Sequence, residues 1–111
     1  MPLLVIKTNV KIEAARRAPL MRKASAQIAA LLGKSESYVM VNLETGMQML
    51  FGGSTEPLAY LELKSIGLPQ QRTGEISAAL CLLFSEELAV PTERIYVEFA
   101  DIGRNMWGWN G

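Results

Sequence analysis

The chain has 111 residues, 50% of them hydrophobic, with lysine plus arginine equal to aspartate plus glutamate at 11 each. That length suits a single domain over 1–111, and the zero net charge supplies no field for nucleic acid. With no histidine and only Cys81, the composition excludes Ser/His and Cys/His nucleophile pairs, histidine-ligated zinc and an internal disulfide.

The chain opens "MPLLVIKTNV", a proline in second place followed by an apolar, strand-like run. A small residue behind the initiating methionine invites its removal, which would leave Pro2 as the N-terminus with a free secondary amine. The run has neither a basic leader nor a small-residue cleavage site, so it does not read as a signal peptide. No stretch approaches membrane-spanning length, and the expected setting is reduced and cytoplasmic.

A helix is expected from near Pro19, where a missing N–H suits a first turn. Leu20, Ala24, Ile28, Leu31 and Leu32 form its apolar stripe, and Gly33 ends it. Arg16, Arg17, Arg22 and Lys23 read as a solvated helix face. "YVMVNLE" at 38–44 is the next strand, and "GMQMLFGG" is expected to add a short extra one before the turn "FGGSTEP".

"LELKS" at 61–65 then repeats the pattern of "LVIKT" at 4–8. A second helix is expected over about 70–88 with Ile76, Leu80, Leu83, Phe84 and Leu88 inward, then a strand "RIYVEFA" at 94–100. Cys81 falls among "ALCLLF", where a buried small hydrophobe is the default. The tail "NMWGWNG" offers a further strand. Two strand–helix–strand units predict an α+β fold, a four-stranded mixed sheet with both helices on one face. The strands "LLVIKT" and "YVMVNL" are apolar on both sides, so the face away from the helices is expected to be covered by self-association.

Taken together, "MPLLVIKTN", "LLGKSESYVMVNLE", "MLFGGSTEPLAYLELKSIG" and "GWN" resemble the macrophage migration inhibitory factor and D-dopachrome tautomerase family, in order and over essentially the whole chain. The resemblance implies a homotrimer of repeated β-α-β units with sites at subunit interfaces. It implies keto–enol tautomerisation of 2-oxo acids such as phenylpyruvate, without a cofactor, with the terminal proline as base. It also implies a second role, a cytokine-like protein binding a receptor, for which family members leave cells without an ordinary signal.

Such a base must be neutral at working pH, whereas a free α-amine titrates at roughly 7.7–8.0 in model peptides. Burial beside Leu3, Ile66 and the tryptophans, and the charge of Lys34, would lower the amine of Pro2. The resemblance assigns Lys34 to the substrate carboxylate and the Ile66 backbone N–H to the substrate, with Ser65 beside it in "KSIG". It brings Tyr96 from a neighbouring subunit and places Tyr38 at the pocket rim. Trp107 and Trp109 have period two, so in an extended segment both rings face one way. The resemblance sets Trp109 near the entrance. Trp107 stands where the family has a smaller apolar residue and is expected to narrow the pocket. Glu98 stands where the family has a substrate-contacting asparagine, and is expected to pair with Lys34 or Arg94 or to weaken turnover of anions. Pro57-Leu58-Ala59-Tyr60 replaces the family's Cys-x-x-Cys pair, which removes any basis for thiol redox activity.

Overall fold

In the computed structural model, which describes residues 1–111, strand β1 (Leu3–Thr8) alternates half-buried and buried side chains, with Leu4, Ile6 and Thr8 turned inward. That period of two sets the plan of the sheet. β1 pairs in parallel with β2 (Met40–Glu44) and antiparallel with β3 (Ala59–Ile66), and β3 pairs in parallel with β4 (Ile95–Ile102). The order is β2-β1-β3-β4. Each outer strand follows its inner partner through a helix, α1 (Ala14–Leu32) or α2 (Thr73–Leu88). The two β-α-β units expected from the repeat are therefore present, joined at the central antiparallel pair.

The inward residues of β1 and β3 form one core with Leu20, Ala24 and Ile28 of α1 and Ile76, Leu80, Leu83, Phe84 and Leu88 of α2. One core shared by both helices and a single side of the strands puts both helices on one face, as expected. The opposite face has no cover within the chain. Along β1 it carries half-buried Leu3 and Val5, and next to them on β2 Met40 is 65% exposed. Across β3 and β4 it turns polar, with Tyr60, Glu62 and Lys64 opposite Tyr96, Glu98 and Ala100.

Three local expectations are corrected. First, α1 begins at Ala14, so Pro19 lies inside it. Pro19 is exposed, and the carbonyl its missing N–H leaves free, that of Ala15, is on an exposed residue that water reaches. Second, "GMQMLFGG" adds no strand: only Phe51 and Ser54 pair, by two 3.0 Å backbone bonds around Gly52 and Gly53. Both glycines have positive φ, 60° and 75°, the two-residue hairpin turn that glycine makes without strain. Arg94 pins this loop, donating to the carbonyls of Phe51, Ser54, Glu56 and Pro57. Third, the tail forms a 3-10 turn at Arg104–Met106 in place of a strand.

The basic residues of α1 are partly engaged. Lys23 bridges Glu87 at 2.6 Å and Arg16 donates to the Glu87 carbonyl, tying α1 to the end of α2. No helix is long and apolar enough to cross a membrane. Phe84, the largest fully buried side chain, is a test of the core. Phe84→Ala is expected to lower unfolding free energy by about 3–5 kcal/mol, read from the shift of the urea midpoint at unchanged slope.

Candidate active site

Pro2 sits one residue ahead of β1, and its carbonyl accepts the amide N–H of Met40 at 3.0 Å. That bond extends the β1–β2 ladder by one step and fixes the first turn of chain against the sheet. The ring is fully buried. Around it opens a cleft with two lobes. The inner lobe, about 260 Å³, is mainly apolar, lined by Pro2 with Leu3, Val39, Met40, Trp107 and others. The outer lobe, about 370 Å³, is lined by Met1, Lys34, Tyr38, Ile66, Arg104 and Trp109. Met1, Tyr38 and Trp109 line both. Met1 thus belongs to the wall the two lobes share, while Pro2 lines the inner lobe alone.

Lys34 is delivered by the way α1 ends. Gly33 takes a left-handed φ of 62°, its N–H meets the Ala30 carbonyl, and the Lys34 N–H meets that of Ala29 at 3.0 Å. This paired closure turns the chain sharply off the helix and leaves the lysine side chain free to swing across. Its Nζ donates to the carbonyl of Ile66 at 3.3 Å. Ile66 closes β3, and Gly67 follows with φ of 65°. Asp101 holds the far side of that turn by accepting the Leu68 N–H at 3.1 Å. Lys34 and Ile66, far apart in sequence, thus meet on one wall.

Ser35 caps the next 3-10 turn, Glu36–Tyr38, its hydroxyl accepting the Ser37 N–H. That turn presents Tyr38 to Trp109, ring centroids 5.8 Å apart and planes at 88°, an edge-to-face pair. Trp107 and Trp109 both line the inner lobe, and Trp109 lines the outer one as well.

No carboxylate lines either lobe. With Met1 present, its terminal amine is held below the ordinary α-amine value, first by burial, then by the charges of Lys34 and Arg104. Arg104 escaped the sequence reading. It belongs to no motif, and only the 3-10 turn that replaces the expected tail strand brings it to the lobe. No group of three or more Cys, Asp or Glu gathers to hold a metal.

Three expected site residues lie elsewhere in the single chain. Ser65 is fully buried on the helix face, opposite to Ile66, and its hydroxyl bonds to the Ile66 carbonyl. A one-residue step along a strand reverses the face, so Ser65 supports the wall and does not line it. Tyr96 is 65% exposed on the open face and packs on Phe51 at 4.9 Å. Glu98 pairs with neither Lys34 nor Arg94: it accepts the hydroxyl of Tyr60, because β3 and β4 are neighbours and Arg94 is committed to the 51–57 loop. That bond, with burial and the nearby Glu62, pushes the Tyr60 hydroxyl well above its usual range.

Comparison with known proteins agrees with this architecture. A homologue of macrophage migration inhibitory factor from Brugia malayi is 39% identical over 112 aligned positions, covering 100% of this chain and 96% of its own. A crystal structure of a homologue from Prochlorococcus marinus superposes with a TM-score of 0.91 at 43% identity, covering 98% of this chain and 96% of that one. The Trichinella spiralis factor superposes at 0.89 with 34% identity, covering 98% of this chain and 96% of its own. The family model for macrophage migration inhibitory factor matches residues 1–111, and the chain belongs to that family.

Proposed function

We propose that this chain is a cofactor-independent keto–enol tautomerase of 2-oxo acids such as phenylpyruvate, with Pro2 as general base once Met1 is removed. The observation that carries this reading is the burial of Pro2 against an apolar lobe, with Lys34 and Arg104 lining the adjoining lobe and no carboxylate of the same chain lining either. Burial and neighbouring cations both disfavour a protonated amine, so the base is neutral where an exposed one would be charged. Lys34 takes the substrate carboxylate beside Ile66, and the aryl ring lies in the inner lobe against Trp107 and Trp109. The nitrogen takes a proton from C3, the electron pair forms the C2–C3 double bond, and the same proton is returned to the oxygen.

We place the working site in a homotrimer. The uncovered face of the sheet and the free outer edges of β2 and β4 support association. In that assembly Tyr96 and Glu98 serve a neighbouring cleft, which accounts for their distance from Pro2 within one chain. Sedimentation equilibrium is expected to give three chain masses; a single chain mass would remove both residues from the site.

Intact mass is expected to show loss of Met1, and Pro2→Ala is expected to lower kcat/KM for phenylpyruvate by about 10²–10⁴-fold. Retained activity would shift the chemistry to another group. Because the base works unprotonated and burial beside cations disfavours a charged amine, kcat/KM should rise with pH through a value below the ordinary α-amine range and then level off. Lys34→Ala should act mainly on KM, raising it about tenfold for loss of one charge-assisted contact worth roughly 1.5 kcal/mol.

A further inference from the structure

The outer lobe holds two cations, Lys34 and Arg104, and no carboxylate lines it. Neither cation is in an ion pair: the salt bridges of the chain are Lys23–Glu87, Lys64–Glu62 and Arg72–Glu75. Lys34 has one hydrogen bond, to the Ile66 carbonyl, and the Arg104 guanidinium has none. Two unpaired like charges facing one cavity repel each other. An anion between them relieves that repulsion, and a doubly charged one relieves it most.

Enolisation of a 2-oxo acid makes such an anion. The bound acid carries one carboxylate charge. When the C3–H electron pair becomes the C2–C3 π bond, the C2–O π pair moves onto oxygen, and an enolate stands next to the carboxylate. The proton is on the amine at that moment. Lys34 and Ile66 account for the carboxylate in the proposed reaction. Of the two cations lining the lobe, the one left for the second oxygen is Arg104, whose planar fork matches adjacent oxygens.

We propose that Arg104 and Lys34 form a two-cation site for the dianionic enolate of a 2-oxo acid, with Arg104 on the developing C2 oxygen. This rests on the tautomerase reading and adds to it the residue that meets the charge created in the transition state. An interaction that strengthens as charge develops lowers the barrier without tightening the ground state. Arg104 is exposed and carries no packing, so its replacement leaves the fold in place. The charged and titratable side chains lining the outer lobe beside Met1 are Lys34 after α1, Tyr38 before β2 and Arg104 after β4.

The test uses the processed full chain at fixed ionic strength, with Arg104→Ala and Arg104→Lys. Arg104→Ala is expected to lower kcat for phenylpyruvate by roughly 10²-fold with KM within about threefold, and Arg104→Lys to restore most of it. Arg104→Ala should also move the acid limb of kcat/KM to higher pH, as one lowering charge is gone. Binding of oxalate, a dianion shaped like the enolate head, is compared by calorimetry with glycolate, a monoanion of similar size. Wild type should prefer oxalate, and Arg104→Ala should lose that preference about tenfold or more. An unchanged oxalate-to-glycolate ratio overturns the proposal whatever the rates do. A wild type that binds oxalate preferentially through Arg104 and yet does not turn over phenylpyruvate overturns the tautomerase reading and leaves the two-cation site standing.

Discussion

The bond from the Met40 amide to the Pro2 carbonyl carries the rest of the site. Chain ends usually fray, because their first residues have few partners. Here the end is held by a strand ladder begun one residue early, with the ring in the lobe that Trp107 and Trp109 also line. A terminal nitrogen placed in this way loses water, and loss of water is what makes an amine a base near neutrality. Proline suits the position twice over. It gives up no ladder donor at the start of a strand, and freed from Met1 it carries a secondary amine.

The sequence makes the frame legible and leaves the assembly of the cleft mostly hidden. Helix stripes such as Ile76, Leu80 and Phe84 declare themselves by period, and Gly33 marks the end of α1 because only a left-handed residue closes it so tightly. Pro19 misleads: local propensity says first turn, while the core contacts of Leu20, Ala24 and Ile28 keep the helix intact on both sides of an exposed fault. Trp107 and Trp109 line one lobe together even though the strand expected to carry them is absent. Arg104 could not be found, since its position depends on how the chain leaves β4, a matter of turn geometry that no side-chain pattern encodes. The side-chain direction of Ser65 follows from strand parity, once the register is known.

The uncovered face of the sheet has two characters. On the β1–β2 side the end near Pro2, with Leu3, Val5 and Met40, is apolar and suits burial, while Lys7, Asn42 and Glu44 stand beyond it. On the β3–β4 side Glu62 and Glu98 stand directly opposite each other, a pairing of like charges that a sheet ordinarily avoids. The Tyr60 hydroxyl moderates it by donating to Glu98, and Lys64 lies 3.9 Å from Glu62. A face so arranged keeps water near its centre while its apolar margin seeks cover. In the single chain Glu98, which stands where the resembled family has an asparagine, stays in this polar patch and does not line the cationic lobe.

In the proposed reaction the division of the cleft lets a chain whose own cleft has neither histidine nor carboxylate move a proton. An ordinary acid–base pair needs two groups with opposed environments. One nitrogen suffices if it is neutral at rest and if the charge it creates on the substrate is met elsewhere. The inner lobe supplies the first condition, since apolar walls penalise the ammonium. The outer lobe supplies the second, since its cations penalise the ammonium at rest and favour the anion that appears when the proton is taken. In the proposed reaction the same two charges therefore act on both partners of the transfer, disfavouring the ammonium and favouring the enolate through one electrostatic arrangement.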